Sequence, residues 1–309
     1  MSSIAYISGE ELFRRVRPAQ AVNALIDALN AGFDPATDLP RTRYEVSGGQ
    51  LLLMPSTVPE YFGIKVLSLA DDSAARGIPL IQGAYLLFDA ASMAPVATID
   101  GAAMTALRTP AVSIAGVRHL LVKSAEPLSA VIFGTGLQAR HHEATLRDVL
   151  DGIREVDVTY IGRSRPDDAS LHWFESGSGE AAAAVKSADL VITATSATEP
   201  IVQASDLRED AIVVAMGAHT PDTRELAGDV FAGATVIVED VDVAMREAGD
   251  VVQAIAEGHI EKSALVSLQE AVTTSTDYTQ APGRVVFKTT GMPWEDVVVA
   301  AAAINSAAE

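Results

Sequence analysis

The chain has 309 residues, enough for about two domains, each with its own buried core. A formal charge of −19 leaves no basic surface to displace phosphate counterions, which excludes nucleic acid as a partner, and the absence of cysteine excludes disulfides and thiolate chemistry. No apolar run reaches the roughly 18 residues that cross a bilayer, and Met1 to Tyr6 carry no basic-then-apolar signal, so the expectation is a soluble cytoplasmic protein that does not touch membranes.

In chain order, Ser8-Gly9-Glu10-Glu11 has the form of a capping box and opens a short helix. Pro18 suits the first turn of a helix over 18–32. Arg41–Val46 and Gln50–Met54 flank Gly48-Gly49, and Ile81–Phe88 and Val96–Ile99 flank a run of small residues; both couples read as β-hairpins. A helix over roughly 100–117 follows. From about residue 125 the texture changes to apolar runs alternating with helical segments. The runs are Ala130–Phe133, Val156–Ile161, Leu190–Thr195, Ile212–Met216, Thr235–Val238 and Val285–Lys288. Between them lie a helix over 137–150 and the alanine run 181–184, also helical. Such alternation builds a parallel sheet with helices on both faces. A last helix runs from about Trp294 to Ala302.

The first of those strands ends in Gly134-Thr135-Gly136-Leu137-Gln138-Ala139 and passes directly into a helix. This is the G-x-G-x-x-A form of the dinucleotide-binding turn. Gly134 permits the tight turn, Gly136 lets backbone approach a pyrophosphate, and Ala139 lets helix and strand pack closely. The helix dipole faces the negative charge. NAD sites place a carboxylate at the end of the second strand, where it bonds the ribose 2′-hydroxyl. Here that strand runs into Arg163-Ser164-Arg165. Guanidinium forks match a 2′-phosphate, so NADP(H) is favoured, with NAD(H) left possible.

Three cations stand out in the first part. Lys65 lies inside the apolar stretch Tyr61–Leu67, where a lysine is easily deprotonated and suited to proton transfer. Arg41 and Arg108 are natural carboxylate clamps. Each alone is more often a surface charge. His219 stands just past a strand end, after Met216-Gly217-Ala218, where open α/β sheets bind ligands. It is read either as a proton relay or as a structural loop histidine. No histidine and carboxylate spacing points to a metal, and no G-x-S-x-G elbow points to a hydrolase.

Arg41-Thr42 with Leu53-Met54-Pro55, Gly63-Ile64-Lys65-Val66, Asp100 through Arg108-Thr109, the glycine turn, Gly217 through Leu226, and Phe287 through Gly291 together resemble the ornithine cyclodeaminase/mu-crystallin family. The resemblance spans nearly the whole chain. It implies a Rossmann dinucleotide-binding domain, 125–293, plus a discontinuous α+β substrate and dimerisation domain, 1–124, to which a C-terminal helix, 294–309, returns. It also implies a homodimer. It places Arg41, Lys65 and Arg108 around a substrate carboxylate, with the lysine handling a proton. Thr109, Thr135, Gln138, Thr195 and Met216, with the adjoining Gly217, line the cofactor. Two departures matter. Ornithine cyclodeaminases carry an aspartate where this chain has His219, and a glutamate where it has Leu52. A substrate with a second ammonium wants a buried anion, so reduction of a 2-imino or 2-oxo carboxylate is preferred. Ornithine cyclisation, and a mu-crystallin-like protein that binds NADPH and a ligand with little turnover, stay open as alternatives.

Overall fold

The computed structural model describes residues 4–274 and 283–306. The chain divides into two compact units, Met1–Ala111 with Met292–Glu309, and Val112–Gly291. The division falls within the helix that begins at Gly101, one residue past Pro110.

The first unit opens with β1 (Ala5–Ile7), α1 (Gly9–Arg15) and α2 (Pro18–Asn30). Ser8 caps α1, its hydroxyl accepting from the Glu11 amide, and Pro18 stands at the start of α2 as expected. There follow β2 (Thr42–Val46), β3 (Gly49–Thr57), β4 (Tyr61–Ala70), the single turn α3 (Ser73–Arg76), β5 (Ile81–Asp89) and β6 (Pro95–Asp100). They form one sheet in the order β1-β6-β5-β4-β3-β2, antiparallel except for β1 on β6. The second strand of the first expected hairpin runs past its expected end, because Pro55 to Thr57 pair with Phe62 to Ile64 of β4. Alternation sends Leu52, Met54, Lys65, Leu67, Tyr85, Leu87, Ala97 and Ile99 to one buried face. The C-terminal helix (Pro293–Asn305) packs on α2, β3, β4 and β5. β1 was not foreseen; at three residues it is too short to carry a periodic signal.

The long helix α4 (Gly101–Leu121) starts where the Asp100 carboxylate accepts the Ala103 amide at 2.9 Å. Gly101 is needed there: a Cβ would stand 2.7 Å from the Gly83 carbonyl carbon on β5.

The second unit holds β7 (Leu128–Phe133), α5 (Leu137–Leu150), β8 (Val156–Gly162), β9 (Trp173–Glu175), α6 (Gly179–Ser187), β10 (Leu190–Thr193) and β11 (Ile212–Ala215). It continues with β12 (Thr235–Val238), α7 (Val241–Glu247), α8 (Gly249–Ala256), β13 (Leu265–Ser267), α9 (Leu268–Thr273) and β14 (Val285–Lys288). All neighbours are parallel, in the order β13-β12-β14-β11-β10-β7-β8-β9. The half β9-β8-β7-β10-β11 is the doubly wound order, with its reversal between β7 and β10. The sequence pattern did not reveal β9 and β13, three-residue edge strands. Among the described residues no helix is long and apolar enough to cross a membrane.

Candidate active site

In the first unit a group of charges is set into an apolar sheet face. Met54, Lys65, Tyr85 and Ile99 stand in one cross-strand row, all buried. A lysine with 0 % exposure holds its charge only with partners at hand. The C-terminal helix brings them. Pro293 starts it, and Glu295 and Asp296 fill its first turn, where the dipole favours anions. Lys65 Nζ lies 2.8 Å from both oxygens of Asp296. Arg108, two turns into α4, donates from Nη1 to Glu295 Oε2 at 3.0 Å, with its Nε 3.2 Å from Asp296 Oδ1. Glu295 Oε1 also accepts the Met292 amide. Where the sequence suggested a positively lined pocket, the fold therefore adds two acids that match Lys65 and Arg108 charge for charge.

Burial, and next the charge of Arg108, bring the Lys65 ammonium down to about 8 against the pull of Asp296 and Glu295. Asp38, half-buried just past the turn Pro35–Thr37, binds into the same region. Its Oδ1 accepts the Ser56 hydroxyl at 2.6 Å and its Oδ2 accepts the Trp294 amide at 2.8 Å. Burial pushes this carboxyl up to about 6, although the bonds from Ser56, Trp294 and Leu39 oppose the shift. Burial, then the charges of Asp296 and Asp38, hold the Tyr85 phenol well above its usual range. Arg41 is half-buried, one residue before β2. Extending the Thr42–Leu53 register by one residue sets it opposite Met54, in the Lys65 row and two strand spacings, ~10 Å, from Lys65. Leu52 is buried on the same face as Lys65. Thr109 is buried in α4, next to Arg108.

In the second unit the glycine turn has the form its sequence requires. Gly134 has φ +104°, and a Cβ there would stand 2.5 Å from the Ala194 carbonyl oxygen, so both its conformation and its packing demand glycine. Gly136 caps α5 with no side-chain bond to the first-turn amides, and a Cβ there would meet nothing within 4 Å. Ala139 is fully buried. A helix start with open space over its capping glycine fits a pyrophosphate. Thr135 lies beside the end of β8, its Cγ2 3.1 Å from where a Gly162 Cβ would be. The loop after β8 therefore starts at the glycine turn, and its Arg163, Ser164 and Arg165 are all exposed. Arg140, on the first turn of α5, donates to the Thr135 carbonyl and to Asp168, both at 3.4 Å. This makes it a third cation beside the turn in an acidic protein.

The loops beyond β10 and β11 are tied by a carboxylate that the sequence pattern left unassigned. Glu225, with 0 % exposure, accepts from the Thr193 hydroxyl, the Thr195 amide and hydroxyl, and the Gly217 amide, at 2.7–2.9 Å. A Cβ on Gly217 would stand 2.1 Å from the Thr195 carbonyl oxygen. Buried Lys288 donates to the Ala218 carbonyl at 2.6 Å and lies 2.9 Å from Asp250, which accepts the Glu225 and Leu226 amides. His219, half-buried, has Nδ1 3.2 Å from its own loop's Gly217 carbonyl, and Met216 and Gln138 are half-buried at strand and helix ends.

The sequence profile of the ornithine cyclodeaminase/mu-crystallin family matches residues 9–309. The chain belongs to this family. Similar relatives include the ketimine reductase mu-crystallin of Rattus norvegicus, 27 % identical over 96 % of this chain and 95 % of the relative. A second is the Delta(1)-pyrroline-2-carboxylate reductase 2 of Burkholderia ambifaria, 28 % identical over 79 % of this chain and 76 % of that protein. Among solved structures, the fold is shared with the Thermococcus litoralis Delta(1)-pyrroline-2-carboxylate reductase in complex with NADH and L-proline. That match has a TM-score of 0.84 and 24 % identity over 99 % and 98 % of the two chains.

Of the expected residues, the first unit groups Lys65 with Arg108, and Arg41 joins them by register alone. The second unit gathers Gly134, Thr135, Gly136 and Ala139 at one helix start and ties Thr195 to Gly217 through Glu225. Asp38, Tyr85, Arg140, Glu225, Glu295 and Asp296 escaped the sequence reading. The one available signal is the Glu-Asp pair that follows Pro293-Trp294 at a helix start, a pattern that by itself reads only as helix.

Proposed function

We propose that this protein reduces a small 2-imino or 2-oxo carboxylate, a cyclic ketimine above all, with NADP(H). The first unit holds the substrate and the second the dinucleotide. The observation that carries this is the Lys65 ammonium: fully buried, paired with Asp296, and brought down to about 8, so that it is charged at neutral pH yet gives up its proton readily. When bound, the reduced nicotinamide supplies hydride to the α-carbon. Lys65 holds the proton that the imine nitrogen takes, and its positive charge favours the electron-poor C=N group. Arg108 and Arg41 orient the carboxylate by forked hydrogen bonds. Asp296 and Glu295 keep Lys65 and Arg108 in place, since each cation without them would be an isolated buried charge.

The cofactor is a nicotinamide dinucleotide. Its 2′-phosphorylated form is favoured by Arg163, Ser164 and Arg165, which stand where an NAD site carries a carboxylate, and by Arg140 nearby. Thr109, Gln138, Thr195, Met216 and Gly217 complete the proposed cofactor site. His219 is assigned to substrate contact from its loop. Ornithine cyclisation is less well supported, because buried Leu52 offers a distal ammonium no anion.

A homodimer belongs to the same reading. Tyr6, Tyr44, Val46 and Val66 share the outer face of the first unit's sheet, at 67, 52, 47 and 37 % exposure. Apolar sheet faces of this kind mark partner surfaces, and a second copy covers this one.

The test is oxidation of NADPH and of NADH, followed separately, with pyrroline-2-carboxylate, piperideine-2-carboxylate and pyruvate plus amine. Consumption of reduced cofactor with a cyclic imine is the expected result. Ammonia release from ornithine without net cofactor oxidation would overturn it. Replacing Arg163 and Arg165 with alanine should cut NADPH efficiency by about tenfold or more and leave NADH efficiency in place; an unchanged preference refutes the phosphate assignment.

A further inference from the structure

Reduction of C=N to CH–NH consumes one hydride and one proton. The hydride forms the C–H bond, and the electron pair released from C=N takes a proton from Lys65, whose N–H bond breaks to leave a neutral amine. Before the next turnover that amine must regain a proton. Lys65 and Asp296 have no exposure, and neither does Tyr85, so water does not reach them directly. Arg108 does not give up a proton in the working range. Asp38 is the carboxyl of this group that also meets solvent.

We propose that Asp38 is the proton port of this site, passing protons between solvent and Lys65 by way of the Tyr85 hydroxyl and Asp296. Asp38 and Asp296 both stand at the N-terminus of the C-terminal helix, and the Tyr85 hydroxyl lies nearby. Asp38 accepts the Trp294 amide at 2.8 Å, two residues from Asp296, which itself meets Lys65 at 2.8 Å. On its other oxygen Asp38 accepts Ser56 at 2.6 Å, and Ser56 pairs across the sheet with Gly63. Tyr85 lies over Gly63: a Cβ at that glycine would stand 2.4 Å from Tyr85 Oη. That hydroxyl is fully buried and finds no hydrogen-bond partner among the described residues. A phenol held without a partner, in the Lys65 row and over the glycine that faces Ser56, is a link that one water completes.

The direction of transfer is favourable. Asp38 is pushed up to about 6 and Lys65 is brought down to about 8, so a proton on Asp38 runs downhill to the neutral amine. The charged or titratable groups on the elements packed around Asp38 are Glu295 and Asp296 of the C-terminal helix, Tyr61 and Lys65 of β4, and Tyr85 and Asp89 of β5; β3 carries none. With Lys65 and Arg108 already matched by Glu295 and Asp296, an arriving substrate carboxylate adds net negative charge. The cluster answers by taking up a proton, and Asp38 is the group placed to take it.

This inference rests on the imine-reductase reading. The experiment compares full-length wild type, Asp38→Asn and Tyr85→Phe in the reduction of pyrroline-2-carboxylate across the neutral pH range, in H₂O and D₂O. It also measures calorimetrically the proton uptake when the cofactor-loaded protein binds pyrrole-2-carboxylate, an anion with no basic nitrogen. Expected for both variants is a fall in kcat of about tenfold or more, a larger solvent isotope effect and an unchanged KM for the dinucleotide. Added imidazole should restore part of the Asp38→Asn rate, and proton uptake should be lost in that variant. Tyr85→Phe removes an unpartnered hydroxyl and folds at least as well as wild type, so it carries the test if Asp38→Asn does not fold. A wild type that reduces the imine, with variants that keep its kcat, isotope effect and proton uptake, overturns the proton port alone. A wild type inert toward imines overturns the reductase reading and the port with it.

Discussion

Replacing Lys65 by methionine keeps the apolar stem and removes the charge, and its effect on stability can be worked out. The Lys65 ammonium stands near 8 in the folded protein against 10.5 for an ordinary lysine, so its protonated form costs folding about 3 kcal/mol at neutral pH. Lys65→Met removes that cost. It also takes one of two cationic partners from Asp296, a loss of about 1–3 kcal/mol while Arg108 Nε stays 3.2 Å away. The two terms nearly cancel, so the variant should lie within about 2 kcal/mol of wild type at pH 7, well short of the 3–5 kcal/mol of a buried pair broken outright. The sign with pH is fixed as well. Between about 8 and 10.5 the unfolded chain binds the Lys65 proton and the folded chain does not, so wild-type stability should rise through this window relative to the variant. Urea unfolding of both proteins at several pH values measures this directly, because subtracting the curves cancels the tyrosines that titrate nearby. Turnover should fall about 100-fold or more with cofactor affinity unchanged. A difference curve flat from neutral pH to 10.5, or a variant destabilised by more than about 4 kcal/mol, would refute the argument.

Three further perturbations probe fold and cofactor binding in the second unit. Gly136→Ala should leave stability within about 1 kcal/mol, because its Cβ enters open space, yet weaken dinucleotide binding about tenfold or more by fluorescence titration. Gly134→Ala should instead destabilise the fold by about 2 kcal/mol or more, since φ is +104° and the Ala194 carbonyl oxygen blocks the new atom; thermal unfolding decides, and equal effects from the two alanines would be wrong for this turn. Glu225→Gln should cost about 2–4 kcal/mol and raise KM for the dinucleotide, because an amide cannot accept on both ends the four bonds from Thr193, Thr195 and Gly217. An unchanged melting temperature would remove Glu225 from that role.

What the sequence disclosed follows the range of each signal. The dinucleotide half rests on local grammar: an apolar run, two glycines at fixed spacing and a helix, all within a dozen residues, and the six buried runs of the parallel sheet all became strands. Edge strands such as Trp173–Glu175 were hidden because three residues make no period. The substrate half offered no comparable grammar. Its cations showed themselves as charges in apolar stretches, but the acids that balance them lie far along the chain; Lys65 and Asp296 are separated by 231 positions.

That separation also explains why the reading of net charge needed the structure. A cation among apolar residues in a sequence invites an anionic ligand as its partner, because nothing local neutralises it. The fold supplies Glu295 and Asp296 instead, and a fully neutral buried cluster is a weak device for stability: apolar residues of equal volume would do as well or better. Its retention is understandable if the cluster handles protons, since a buried lysine near 8 and, at the same helix start, a carboxyl near 6 give two groups that change charge close to neutral pH. On this view the carboxylate of the substrate is held less by surplus positive charge than by a site that gains a proton as the anion enters. Binding should therefore weaken as pH rises past about 6 to 8, where the cluster no longer takes that proton up, while a purely cationic pocket built on arginines would show no such dependence.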